Sequence, residues 1–111
     1  MKRDYKLYLQ DIRDSVKYIE EYVMDISEED FKKDRKLQDA VVRRLEIIGE
    51  ASRNIPRSLK EKNKHVNWFN LSQFRDLIAH SYYEISLNRI WDTLKKEIPL
   101  IKEGMKKISL V

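Results

Sequence analysis

The sequence contains no cysteine, only two glycines and two prolines, and only two histidines among 111 residues. Without cysteine the chain has no disulfides and no thiolate metal ligands, as is common in cytoplasmic proteins. No apolar run approaches the roughly 20 residues that a membrane span requires, and the N-terminus lacks the apolar segment of a signal peptide. The two histidines, His65 and His80, are not spaced as metal ligands. We therefore expect a cytoplasmic protein that uses no metal and no cofactor.

Charged residues make up 38% of the chain, with a formal net charge of +4. The excess is concentrated in residues 31–66, which contain eleven basic and five acidic residues. The basic residues at the start and centre of this segment are Lys32, Lys33, Arg35, Lys36, Arg43 and Arg44. They form either a surface that attracts a polyanion or a solvated helix face, and the sequence leaves both interpretations open.

The scarcity of glycine and proline and the near absence of β-branched alternation favour long helices. In the first segment, from Asp4 to Ile26, apolar residues recur at intervals of three and four, which places them on one stripe of a helix. They are Tyr5, Tyr8, Leu9, Ile12, Val16, Ile19, Val23 and Ile26. Ser27, followed by three acidic residues, then predicts an N-cap and a short helix through Lys33.

A second long helix is predicted from Asp34 to Asn54, with small residues at Gly49 and Ala51 that permit close approach of another helix. Pro56 ends it, because proline disfavours helical geometry in the residue before it. A polar connector from Arg57 to Val66, with about one helical turn and a surface His65, follows.

The third main helix starts with a cap at Asn67 or Asn70 and is expected to end soon after His80. Ser86 caps the last helix, which Pro99 kinks because it lacks a backbone donor. Residues 1–111 are thus predicted to form a single all-α domain, an antiparallel bundle of four main helices plus one or two short ones.

The stretch from Trp68 to Trp91 contains a compact set of reactive side chains: Arg75, Asp76, His80 and Tyr82. On an ideal helix Arg75 and His80 would point about 140° apart. They can share a site only if the helix ends or distorts near His80, or if two chains contribute to one cleft. Past the helix end, His80 and Tyr82 would face the same way.

This set suits RNA cleavage through the 2′-hydroxyl, which needs a base, an acid and a cation for the phosphoryl oxygens. Histidine serves as acid or base near neutral pH, and arginine binds phosphate with a fixed fork. One chain supplies one such histidine, so a two-fold dimer would bring two to one cleft. Structural roles for the same residues remain open: a packed or capping His80, a surface ion pair of Arg75 and Asp76, and a packed Tyr82.

Arg75-x4-His80-x-Tyr82, the helix that contains Ile90-Trp91 and the following Pro99 together resemble the HepT-like branch of the HEPN superfamily. The segment LEIIGEA at residues 45–51 is similar to that branch as well, as are Pro56, Trp68 and Phe74. The resemblance extends from about residue 5 to residue 105.

The resemblance implies an all-α protein that dimerises and places the motif in a cleft between protomers. It further implies a metal-independent endoribonuclease toxin of a prokaryotic toxin–antitoxin pair of the HepT/MntA, type VII-like kind. Its partners would be a second copy, an RNA substrate and a minimal nucleotidyltransferase antitoxin that adds AMP to the motif tyrosine. Carried over, His80 is the acid or base, Arg75 the phosphate contact, Asp76 an orienting residue and Tyr82 the modification site. Glu46 and Glu50 would be structural or line the cleft.

Two alternatives remain at this stage. In the first, the chain is a non-catalytic helical module that binds a nucleotidyltransferase and is modified by it. In the second, it is a basic nucleic-acid-binding domain without catalytic activity. The second alternative lacks the interleaved aromatic platform that single-strand binders use.

Overall fold

The computed structural model describes residues 3–79 and 87–110, in which every regular element is helical. The elements are α1 (Tyr5–Val23), α2 (Glu28–Lys33), α3 (Arg35–Arg53), α4 (Arg57–Lys62), α5 (Trp68–Ala79), α6 (Leu87–Asp92), a π-helical turn (Thr93–Glu97) and α7 (Ile98–Lys106). The described part of the chain contains no strand. The all-α prediction is confirmed, with α1, α3, α5 and the stretch from α6 to α7 as the main helices.

Side-chain caps start the helices where the sequence indicated. The Ser27 hydroxyl accepts a hydrogen bond from the Asp30 backbone N–H at 3.0 Å and begins α2. Of the two candidates for α5, Asn67 is the cap, since its side-chain oxygen accepts the Asn70 N–H at 3.1 Å. Each cap satisfies a backbone donor that has no partner within the helix. The predicted cap at Ser86 lies outside the described residues.

Helices α3 and α5 pack side by side in opposite directions. The Arg53 guanidinium donates to the Ser72 carbonyl at 3.4 Å, and the Arg75 guanidinium approaches the Glu50 carboxylate at 3.5 Å. The residue number therefore falls along α5 as it rises along α3. This antiparallel pairing places the last turns of α5 beside the middle of α3.

The opposite face of α1 packs against α7, again antiparallel. Lys102 Nζ lies 3.1 Å from a Glu20 carboxylate oxygen, and the Arg13 guanidinium donates to the Met105 carbonyl at 3.1 Å. These contacts make α1 a central helix, because it also has extensive contacts with α3. The predicted antiparallel bundle is confirmed.

The core consists of the apolar stripes that the periodicity indicated. In α1 the buried members are Leu9, Ile12, Val16, Ile19 and Val23, while Tyr5, Tyr8 and Ile26 are partly buried. In α5 both Leu77 and Ile78 are buried. Phe31 of α2 is fully buried and lies against the Trp91 ring, with centroids 5.4 Å apart. The short helix α2 is thereby tied to α6.

The approach of α3 to α5 is closest at Gly49. A Cβ atom at this position would lie 3.3 Å from the Arg75 backbone nitrogen and 3.4 Å from the Leu71 carbonyl oxygen. Since both neighbours are backbone atoms of a packed helix, a side chain could be accommodated only by moving α5. The close approach expected from the small residues of α3 is confirmed.

The C-terminal helical stretch is irregular just before Pro99, where a kink was predicted. The Ile98 N–H donates to the Thr93 carbonyl, five residues back, and so closes a π-helical turn just before the proline. A proline ring in an uninterrupted α-helix clashes with the carbonyl four residues earlier. We attribute the wider turn to this clash, which it relieves while Pro99 occupies the first turn of α7.

The connector after Pro56 is more ordered than the single turn expected. It forms the six-residue helix α4, and the buried Asn63 that follows binds the C-terminal segment. The Asn63 side chain donates to the Ser109 carbonyl at 2.9 Å and accepts from the Ser109 N–H at 2.8 Å. His65 is exposed, as predicted, and its Nε2 lies 3.0 Å from the Gly104 carbonyl.

Replacing Gly49 by valine should lower the free energy of unfolding by about 1–3 kcal/mol, the usual cost of an overpacked contact. Urea denaturation followed by circular dichroism measures this change. Lys36→Val is the matched control, because it places the same β-branched residue at an exposed position of the same helix. Because valine is a better helix former than glycine, a loss in Gly49→Val would come from the contact with α5, and unchanged stability would show that α5 accommodates the side chain.

Candidate functional site

A cleft of about 290 Å³ opens where the beginning of α1 faces the middle of α3 and the end of α5. Its described lining contains three arginines, three acidic residues, one tyrosine and two apolar residues. They are Arg3, Arg43, Arg75, Asp11, Glu46, Glu50, Tyr8, Ile47 and Ala51. The antiparallel packing of α3 on both α1 and α5 brings these distant parts of the sequence together.

Arg75 lies at the edge of the cleft on the exposed face of α5. Its guanidinium is 3.5 Å from the Glu50 carboxylate, and the two side chains are 57% and 59% exposed. An ion pair this long and this exposed contributes little to stability. Arg75 is thus held in position by its helix and is free to exchange the carboxylate for another anion.

Arg3 and Tyr8 form the far side of the cleft. The Arg3 guanidinium donates to the Asp11 carboxylate at 2.6 Å and lies over the Tyr8 ring, 4.7 Å from its centroid. The hydrogen bond with Asp11 raises the pKa of Arg3 above its ordinary value. Arg3 is therefore cationic at every physiological pH.

Arg43 completes the set of cations and pairs with Glu46 one turn further along α3. Each of the three cleft arginines thus has a carboxylate partner, with Asp11, Glu46 and Glu50 in that role. The formal charge of the cleft lining is balanced. An anionic ligand would have to replace carboxylates at the arginines and would not simply be attracted by an excess of positive charge.

The predicted site residues are described only in part. Arg75 lines the cleft, and Asp76 is exposed on α5 beside it but is not among the described lining residues. His80 and Tyr82 lie outside the described residues, as does the predicted end of α5 near His80. Glu46 and Glu50 line this cleft within one chain; their place in a cleft between two protomers, which the resemblance implies, stays a prediction.

Several cleft residues, among them Arg3, Tyr8 and Asp11, were not singled out as site residues from the sequence, and Arg43 was named only as part of the basic segment. Tyr8 was assigned to the apolar stripe of α1, and its half-buried ring in fact packs on the core while it also borders the cleft. Sequence spacing could not reveal this, because the cleft depends on which turn of α1 faces which turn of α3.

The basic residues at the start of residues 31–66 form ion pairs with acidic residues of their own helices. Lys32 pairs with Glu28 at 3.4 Å and Arg35 pairs with Asp39 at 3.4 Å. Such pairs are typical of a solvated helix face. For the residues at the start of this segment the structure favours the solvated face, whereas Arg43, farther along, lines the cleft.

Residues 3–79 and 87–110 contain no cluster of three or more histidine, aspartate or glutamate side chains that would hold a metal ion. Within the same ranges, none of the helices has the length and apolar character needed to cross a membrane.

Comparison with known proteins shows what the chain is similar to. A family model described as ribonuclease HepT-like matches residues 12–108. A "Probable ribonuclease HepT" of Thermococcus cleftensis is 42% identical over 97% of this chain and 98% of its own length. A "Putative RNase" of Caldanaerobacter subterraneus is 42% identical over 91% of this chain and 90% of its own length.

A third relative is longer. A "Gamma-glutamylcyclotransferase and putative RNase" of Methanocaldococcus jannaschii is 44% identical over 97% of this chain, which spans 49% of that protein. No solved structure matches the sequence.

Replacing Arg75 by glutamine should change the free energy of unfolding by less than about 0.5 kcal/mol, since it removes an exposed ion pair. Urea denaturation of wild type and variant measures the difference. Arg57→Gln, which removes the exposed pair of Arg57 with Glu61, is the control. A markedly larger loss for Arg75→Gln would show that the guanidinium supports the packing of α5, and any effect of this substitution on activity would then be ambiguous.

Proposed function

The chain belongs to the HepT-like ribonuclease family, and from this premise we propose that it is a metal-independent endoribonuclease that acts as a homodimer. In this proposal Arg75, Asp76 and His80 form the catalytic set, and the two copies of His80 in the dimer provide the acid and the base. The cytoplasmic location expected from the absence of cysteine completes the proposal.

The observation that supports this role best is the state of Arg75. The side chain lies at the edge of a cleft, on a helix fixed by the Gly49 contact, and its carboxylate partner is 3.5 Å away and exposed. His80 follows five residues later in the sequence. Phosphoryl transfer requires a cation for the phosphoryl oxygens and an acid–base residue, and Arg75 and His80 are the candidates for these two roles.

The proposed reaction is an attack of the RNA 2′-oxygen on the adjacent phosphorus. One His80 accepts the 2′-hydroxyl proton while the bond from phosphorus to the 5′-oxygen breaks, and the second His80 protonates that leaving oxygen. The products are a 2′,3′-cyclic phosphate and a 5′-hydroxyl. Arg75 stabilises the charge on the phosphoryl oxygens, and Asp76 orients Arg75 or His80. Histidine and arginine suffice for these steps, because histidine transfers protons near neutral pH and arginine remains charged.

We further propose that the protein is the toxin of a toxin–antitoxin pair and that a minimal nucleotidyltransferase silences it by adding AMP to Tyr82. The physical argument is the spacing of Tyr82, two residues after His80. A nucleotide attached there adds bulk and negative charge next to the catalytic residues, and both would exclude an RNA phosphate.

One feature of the cleft favours the alternative of a non-catalytic module that is bound and modified by such a nucleotidyltransferase. Among the described lining residues the positive and negative charges balance, so these residues give RNA no net electrostatic attraction to the cleft. The two functions differ in whether His80 is needed for RNA cleavage.

The decisive experiment compares RNA cleavage by purified wild type and His80→Ala in the presence of a chelator. Intact mass must first show that Tyr82 is unmodified. We expect wild type to cleave and the variant to lose at least about a hundredfold in rate, the usual contribution of an acid–base residue. His65→Ala is the matched control, because it removes the other histidine, which is exposed and distant in sequence. Equal cleavage by all three proteins, or none by unmodified wild type on several RNAs, would favour the module.

The modification is tested with a minimal nucleotidyltransferase and ATP, with the product analysed by intact mass and by RNA cleavage. We expect wild type to gain the mass of AMP and to lose activity, since the nucleotide blocks the site. Tyr82→Phe should remain unmodified and Tyr83→Phe should be modified like wild type, so the adjacent tyrosine serves as the control. Modification of a protein that then cleaves RNA at its original rate would refute the silencing role.

A further inference from the structure

We propose that the cleft is a binding groove for single-stranded RNA, in which Tyr8 stacks on a base while Arg3 and Arg43 bind backbone phosphates. The inference rests on the proposed function, because the groove would present the RNA to Arg75 at its edge. It adds three residues to those of the motif: Arg3 before α1, Tyr8 in α1 and Arg43 in α3.

The argument begins with the ring of Tyr8. The ring is half-buried and packs on the core, so its position is fixed, and it also lines the cleft. The guanidinium of Arg3 lies over the ring, 4.7 Å from its centroid. A guanidinium and a nucleobase are both planar groups that stack on aromatic faces. The position that Arg3 occupies is therefore one that a base can take.

The second step concerns the arginines. The side chains of Arg3, Arg43 and Arg75 are 42%, 65% and 57% exposed, and each is paired with a carboxylate. Exposed ion pairs contribute little, so exchanging a carboxylate for a phosphate costs little. A phosphate oxygen also receives the bidentate fork of arginine well. Three exchangeable guanidinium groups around one cleft can bind successive phosphates.

The third step concerns the volume of the cleft and the acidic residues that line it. At about 290 Å³ the cleft is near the lower limit of roughly 300 Å³ for small-ligand sites, which fits a single nucleotide and leaves the backbone to continue over the edge. Asp11, Glu46 and Glu50 hold the arginines in place before binding. Once displaced, these carboxylates can accept hydrogen bonds from the amino groups of bases.

Binding is measured by fluorescence anisotropy with a labelled 2′-O-methyl oligoribonucleotide of mixed sequence, in chelator. This probe has no free 2′-hydroxyl, so its binding can be followed whether or not the protein cleaves RNA. We expect Tyr8→Leu to weaken binding about fivefold or more and Tyr8→Phe to bind like wild type, because the stacking surface and not the hydroxyl is needed. Tyr18→Leu is the matched control. Tyr18 is also on α1 and lies under a guanidinium at 4.7 Å, that of Arg44, but it does not line the cleft.

The phosphate contacts are tested by the dependence of affinity on salt. Arg43→Gln should reduce the slope of log affinity against log salt by about 0.7, the value for one phosphate contact on a single strand. Arg57→Gln, which removes the same charge from an exposed intrahelical ion pair outside the cleft, should leave the slope unchanged. Arg43 is exposed, so this variant tests the groove even if Tyr8→Leu perturbs folding.

The outcomes separate the groove from the proposed catalysis. A selective loss of binding in Tyr8→Leu and Arg43→Gln supports the groove, whatever His80→Ala does to cleavage. Cleavage that depends on His80, together with equal binding by the cleft variants and their controls, overturns the groove and leaves the nuclease intact. Failure of wild type to bind the probe also overturns the groove.

Discussion

The close approach of α3 and α5 at Gly49 is the constraint on which the candidate site depends. At this point the two backbones are separated by less space than a methyl group needs, and the nearest atom of α5 is the backbone nitrogen of Arg75 itself. Because Gly49 has no side chain, α5 lies close to α3, and this packing sets the position of Arg75 relative to Glu50. A larger residue at this position would push the helices apart and move the guanidinium away from the cleft, although no charged group would have been replaced. At this position the packing of the helices therefore also determines the electrostatics of the site.

The sequence was sufficient for features that are set locally. Burial of Leu9, Ile12 and Val16 follows from intervals of three and four on one helix, and the Ser27 cap follows from the three acidic residues after it. Pro99 shows the limit of such rules. Its missing donor predicted a kink but did not predict the π-helical turn that precedes the proline.

Less of the site could be predicted from the sequence, because its residues come from distant parts of the chain. The motif predicted that Arg75 would be functional, but its partner Glu50 is 25 residues away and belongs to another helix. The cleft also needs the first turns of α1, whose Tyr8 has the spacing of a core residue and indeed packs as one in part. A side chain that packs on the core and also lines a cleft cannot be distinguished, by its hydropathy spacing, from one that only packs on the core. The roles of His80 and Tyr82 remain predictions, since both lie outside the described residues.

The distribution of charge argues that RNA recognition, if it occurs at the cleft, depends on exchange of partners and not on bulk attraction. The net charge of +4 is modest, and the lysines and arginines at the start of residues 31–66 are engaged within their own helices. The cleft itself has as many carboxylates as arginines along its lining. In such a site a lone phosphate gains little, because each new contact replaces an existing one. A nucleotide gains more, since it adds a stacked base and hydrogen-bond donors for the released carboxylates. A balanced lining would thus favour a single-stranded nucleic acid, which brings bases as well as phosphates, over polyanions that bring negative charge alone.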